Sequence, residues 1–143
     1  NGVSLGICVS LSDWVSLSDW VSLGNEVTSL ELNDHIRNTF PINSILTKWV
    51  TRDRLSPNFD GGVQINYELG AIIEIPLAKN SDQQCDVGLH VLRYGYRPEW
   101  AGLCDANHDF IPIDVEVNRE DICFAGLPTM DIKIRVRKLR VLT

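Results

Sequence analysis

Positive charge is scarce in this chain: 13 lysines and arginines stand against 19 aspartates and glutamates, a net charge of −6. Such a surface repels nucleic-acid phosphates and anionic membranes unless a local basic patch overrides it, so nucleic acid is not an expected partner. Long apolar runs are missing as well. No stretch approaches the roughly 20 residues of a membrane span, and the N-terminus has neither the basic region nor the apolar core of a signal peptide. A soluble chain with no membrane span is therefore expected. Methionine is absent from the first position, where Asn1-Gly2 stands, which points to a processed product or a portion of a longer protein. Cysteines are few: Cys8, Cys85, Cys104 and Cys123 allow three pairings into two disulfides. With no secretory signal, free thiols are the expected state. Finally, no stretch completes a known catalytic or metal-binding signature.

What is present is enough for a core. An apolar share of 44% over 143 residues suits one compact domain, or one domain plus an appendage. The appendage is visible as a repeat of period six: Leu5-Gly6-Ile7-Cys8-Val9-Ser10, Leu11-Ser12-Asp13-Trp14-Val15-Ser16, Leu17-Ser18-Asp19-Trp20-Val21-Ser22 and Leu23-Gly24-Asn25-Glu26-Val27-Thr28. Six residues advance an α-helix by about 600°, which smears the four leucines around its surface instead of gathering them. Six is, however, a multiple of the strand period, so each repeat presents the same faces in a β arrangement. The pattern resembles the hexapeptide repeat of left-handed β-solenoids. Four hexads make little more than one coil, and stacked repeats need about three units to close a core. Either further coils lie upstream, or three chains wrap into a shared shaft, making a homotrimer. Trp14 and Trp20 occupy the same hexad position; stacking or packing along the shaft is the plain reading, and an aromatic ladder that binds sugar is the functional one.

Residues 29–45 read as a neck or linker, with a short helix or an irregular path over the polar and apolar interleaving from Leu30 to Phe40. From residue 46 to 143 the texture changes to short alternating runs separated by turn residues, the pattern of antiparallel sheet. Strands are expected over Leu46–Arg52, Val63–Leu69, Ala71–Pro76, Leu89–Tyr94, Phe110–Val117, Asp121–Phe124 and Asp131–Val141, with a helical turn over Pro98–Cys104. The fold class expected is mainly β: a hexad-repeat β-solenoid or trimeric β-shaft segment over 1–28, followed by a compact, mostly antiparallel β domain with little helix.

Three short motifs carry a resemblance: Cys85-x-x-Gly88-Leu89-His90-Val91, then Val115-x-Val117-x-x-Glu120-Asp121-Ile122, then Lys133-Ile134-Arg135-Val136-x-Lys138. Together they resemble the small C-terminal domain of phage rIIB-type proteins, over roughly residues 47 to 143 and excluding the hexads. Where that family usually has Pro in the central turn, this chain has Arg119-Glu120-Asp121. The resemblance implies a phage context, in the virion or the host cytoplasm, and carries over no catalytic residue.

Candidate chemistry is confined to a few side chains. Cys85, His90, Cys104 and His108 have ligand types that suit tetrahedral zinc, but C-x4-H-x13-C-x3-H is not zinc-finger spacing. A structural thiol and a hydrogen-bonded core histidine are the favoured reading, with no cofactor. The same residues could furnish a Cys/His nucleophilic pair, Cys85 and His90 foremost, given an orienting group and an oxyanion pocket that no sequence reveals. Lys133, Arg135 and Arg137 alternate along the last strand; they read as a solvated outer face or, functionally, as a docking surface for an acidic partner. Two functions of different class follow. One is a non-catalytic structural or interaction module, a fibre-like or virion-associated homotrimer with the β domain as tip or attachment module. The other is a small phage enzyme or regulatory effector with its site around Cys85, His90, Cys104 and His108.

Overall fold

The computed structural model describes residues 12–15, 29–57, 63–81, 87–97, 110–125 and 133–143, with side chains of the helix from Asp34 onward. Those residues are mainly β: a 7-stranded antiparallel sheet with one short helix. Helix α1 spans Ser29–Thr39. Its Ile36 and the following Phe40 are buried, four residues apart and hence on one face. Pro41 disfavours helical backbone in the residue before it, and the helix stops there. The neck is thus helical, and the first strand begins at Asn43, ahead of the expected start.

Strand β1 spans Asn43–Thr51, β2 Ile72–Glu74, β3 Leu89–Leu92, β4 Phe110–Asn118, β5 Ile122–Ala125, β6 Lys133–Val136 and β7 Lys138–Val141. Their hydrogen-bonded order is β2-β7-β4-β1-β3-β6-β5. β6 and β7 are separated in the chain by Arg137 alone, yet they flank β4-β1-β3 on opposite sides. The hydrogen-bonded order is open, with β2 and β5 at its ends, and the chain itself, bending at Arg137, joins the β3 side of the sheet to the β4 side. The sheet so bent encloses an interior. Leu46 and Val50 of β1, Val91 of β3, Ile113, Val115 and Val117 of β4, Ile134 and Val136 of β6 and Leu139 and Val141 of β7 fill it.

Two strands depart from the sequence pattern for visible reasons. The expected strand over Val63–Leu69 is an irregular ribbon against 54–56, because the Ser56 hydroxyl intrudes. Its Oγ accepts from Ile65 N at 2.8 Å and donates to Val63 O at 2.9 Å, replacing ladder bonds. The last strand is broken at Arg137, whose N–H donates to Asp121 O at 2.7 Å while its C=O accepts from Ile75 N at 2.8 Å. The expected helical turn over 98–104 lies outside the described residues.

Candidate functional site

The most concentrated chemistry in the interior sits where β1 and β3 meet. Alternation along β1 puts Lys48 in the same row as Leu46 and Val50, and its register partner across β4 is the core residue Ile113. An ammonium group there has lost its water and must be compensated. The compensation comes from the first part of the chain. Asp13 Oδ1 accepts from Lys48 Nζ at 2.8 Å, and both side chains are 0% exposed. The same oxygen accepts from the His90 N–H at 3.0 Å, and Asp13 Oδ2 accepts from the Tyr67 hydroxyl at 2.5 Å. Lys48 Nζ also donates to His90 O at 2.8 Å and lies 5.3 Å from the centre of the Tyr67 ring.

This arrangement mends a gap in the sheet. β1 and β3 pair at Thr47 and Leu92 only. Two residues further along β3, the backbone N–H and C=O of His90 go to the Asp13 carboxylate and the Lys48 ammonium. The backbone of 13–14 completes the repair: Trp14 N donates to Gly88 O at 3.0 Å, Gly88 N donates to Trp14 O at 2.7 Å, and Val63 N donates to Asp13 O at 2.9 Å. Residues 12–15 are therefore wedged between Gly88 and Val63, with Ser12 and Asp13 buried and Trp14 half-buried. Burial, then the charge and hydrogen bond of Asp13, push the Tyr67 hydroxyl well above its ordinary pKa, so it stays a neutral donor.

Gly88, the glycine of the Cys85–Val91 motif, has φ +145°, and a Cβ there would come within 2.8 Å of Arg135 Cγ. Glycine is required at that point because the arginine stem lies against the backbone. His90 is buried on β3, opposite Arg135 of β6. Its proposed companions Cys85, Cys104 and His108 lie outside the described residues, as do Cys8 and Trp20. Among the described residues no group of three or more His, Cys, Asp or Glu side chains gathers as a metal site would need. Cys123 is buried. Burial raises its thiol pKa, against the lowering effect of Arg135 and Arg137, and a thiol so placed is a poor nucleophile.

The basic row of the last strand is not the solvated face expected from alternation. Lys133 and Arg135 are buried, at 6% and 0% exposure, and only Arg137 is half-exposed. The reason is that the outer face of β3 and β6 is covered in turn. Arg135 Nη1 donates to Lys79 O at 2.8 Å and Val87 O at 3.0 Å, and its Nη2 donates to Ser81 Oγ at 2.8 Å. Arg137 adds Nε to Ala78 O at 3.0 Å and Nη2 to Asn80 Oδ1 at 3.0 Å. Two arginines thus clamp one connection onto the sheet, and neither Lys133 nor Arg135 is open to an acidic partner.

A surface cleft between α1 and the 3-10 turn Arg119–Asp121 is lined by Ile36, Arg37, Asn80, Arg119, Glu120 and Ile122. Its charges are mixed, and Arg119 Nη1 already donates to Phe40 O at 3.3 Å. Among the described residues the buried cluster of Asp13, Lys48 and Tyr67 is thus the better defined centre. Sequence reading passed over it, although a lysine between Leu46 and Val50 on a core-facing row signals a buried counter-charge elsewhere. None of its side chains reaches solvent, so the arrangement holds chain segments together and does not present groups to a substrate. No family model, no curated protein and no solved structure matches this chain.

Proposed function

We propose that this chain is a non-catalytic structural or interaction module of phage origin, a fibre-like or virion-associated homotrimer whose β domain serves as tip or attachment module. The observation that carries the non-catalytic part is the fate of its chemistry. Asp13, Lys48, Tyr67 and Arg135 are all buried and spent on backbone or on one another. The phage origin rests on the three motifs that resemble rIIB-type proteins, and the shaft rests on the period-six repeat. A repeat tied into the β domain by an ion pair suits a module in which one part must hold the other under load.

Surface character supports association. β2 stands at the end of the strand order, and Leu69, Ile72 and Leu77, on it and beside it, are 70%, 63% and 64% exposed. Exposed apolar side chains on and around an edge strand favour association with another chain. Light scattering tests the reading: the expected particle has three times the mass of the 16.1 kDa chain. A monomer, together with loss of some activity in His90→Ala without unfolding, would sink it in favour of an enzyme or effector built around Cys85, His90, Cys104 and His108.

A further inference from the structure

Lys48 and Asp13 carry the two groups from which an amide is made, and the fold holds them in contact where water cannot separate them. Nζ lies 2.8 Å from Asp13 Oδ1, and both side chains are 0% exposed. In water an amine and a carboxylic acid stop at a salt. Held together in one fixed geometry, they gain the proximity that replaces a bimolecular encounter by a unimolecular step. The surroundings add what a condensation needs. Two donors grip the carboxyl group, the Tyr67 hydroxyl on Oδ2 at 2.5 Å and the His90 N–H on Oδ1 at 3.0 Å, and fixed donors of this kind stabilise negative charge as it develops on a carboxyl oxygen. On the other side His90 O accepts from Nζ at 2.8 Å and anchors the nitrogen.

We infer that Lys48 and Asp13 condense into an isopeptide bond that closes residues 13–48 into a covalent ring. The ion pair described above is the state before condensation. A proton passes along the hydrogen bond from Nζ to Oδ1 and leaves an amine and a carboxylic acid, a neutral pair that a dry site tolerates better than two charges. The nitrogen lone pair attacks Cγ, and the charge that forms on Oδ2 is held by the Tyr67 hydroxyl. Burial keeps the proton on that hydroxyl. A second proton then moves from the nitrogen to Oδ1, the Cγ–Oδ1 bond breaks, and one water departs for the one N–C bond gained. In the product Oδ2 is the amide oxygen and still accepts from Tyr67, while the remaining Nζ–H still donates to His90 O. Both hydrogen bonds exist beforehand, so the site is organised for the product as well as for the ion pair. A bond across 35 positions of chain restrains the unfolded state and ties the 12–15 segment covalently to β1. It forms within one chain, whatever the association state of that chain.

Mass spectrometry of the full chain tests this. The parent should be lighter by one water than its sequence and remain so after denaturation. Protease digestion of the denatured parent should then yield a branched fragment, in which the peptide holding Asp13 and the peptide holding Lys48 travel as one mass less one water. Asp13→Ala and Lys48→Met should each show the full mass of its own sequence, which assigns the missing water to this pair. The branched fragment comes from the parent alone, so it decides the matter even where a variant fails to fold. A parent at its full sequence mass overturns the inference, and so does a loss of water that persists in either variant or maps to other residues.

Discussion

Tyr67 shows how a single side chain ties the buried Asp13–Lys48 pair to pH. Its hydroxyl is fully buried and donates to Asp13 Oδ2 at 2.5 Å. An ionised phenolate there would face a carboxylate in a site without water, so the folded state keeps the proton far above pH 10. In the unfolded chain the phenol titrates near its ordinary value of about 10. The folded pKa is therefore the higher one. The stability that this difference contributes is fully present below about pH 10 and is lost as pH rises from there through the folded value. Melting temperatures between pH 8 and 11 should show the consequence: the parent loses stability steeply above about pH 10, and Tyr67→Phe, which has no proton to lose, loses it less steeply. At neutral pH the same variant should be less stable by about 1.5–3 kcal/mol, the range for a hydrogen bond to a charged group. Equal slopes for parent and variant would remove Tyr67 from the alkaline limb.

At the scale of elements, the strands that alternate strictly were legible, and those interrupted by a side chain were not. β1 and β4 are legible in their apolar periodicity because they pair continuously with each other over nine residues. The 63–69 run reads equally well as a strand, but Ser56 sits opposite it, and a hydroxyl that both donates and accepts can replace two backbone partners. That exchange is decided by tertiary approach and leaves no mark on periodicity. The same applies to Arg135. Alternation correctly sets it on the face away from the core, but alternation cannot say that a connection whose Lys79 and Val87 carbonyls accept from Arg135 will fold over that face. Ser56→Ala tests the ribbon directly. With its hydroxyl gone, Ile65 N–H and Val63 C=O lose their partner, a loss of about 1–3 kcal/mol in urea unfolding. Amide exchange at Ile65 should accelerate more than at Val115 in β4, whose ladder partners lie on β1 and β7 and not in the ribbon. Uniform acceleration at both would mean that the ribbon is not a separate unit.

For the molecule as a whole, the topology explains why the Cys85–Arg93 motif stands out in the sequence. Gly88 lets the Arg135 stem approach, Gly88 and His90 offer backbone groups to the 13–14 segment, and Leu89 and Val91 fill the interior. The motif is dense because three parts of the chain converge on it, which a single sequence displays as unusual residues without revealing the convergence. The strand order also limits where a further chain can attach. The open strand order leaves edges at β2 and β5; Ile72 on β2 is exposed, as are Leu69 before it and Leu77 after it. If the proposed trimer forms through that edge, a charge on it should disrupt association and leave the fold intact, since Ile72 is exposed and lysine is well tolerated on an edge strand. Ile72→Lys should therefore scatter light at a mass below the parent's and unfold within about 0.5 kcal/mol of the parent, as surface substitutions do. A variant that keeps the parent's mass would locate the subunit contact elsewhere, with the shared shaft of the hexads as the surface to probe next.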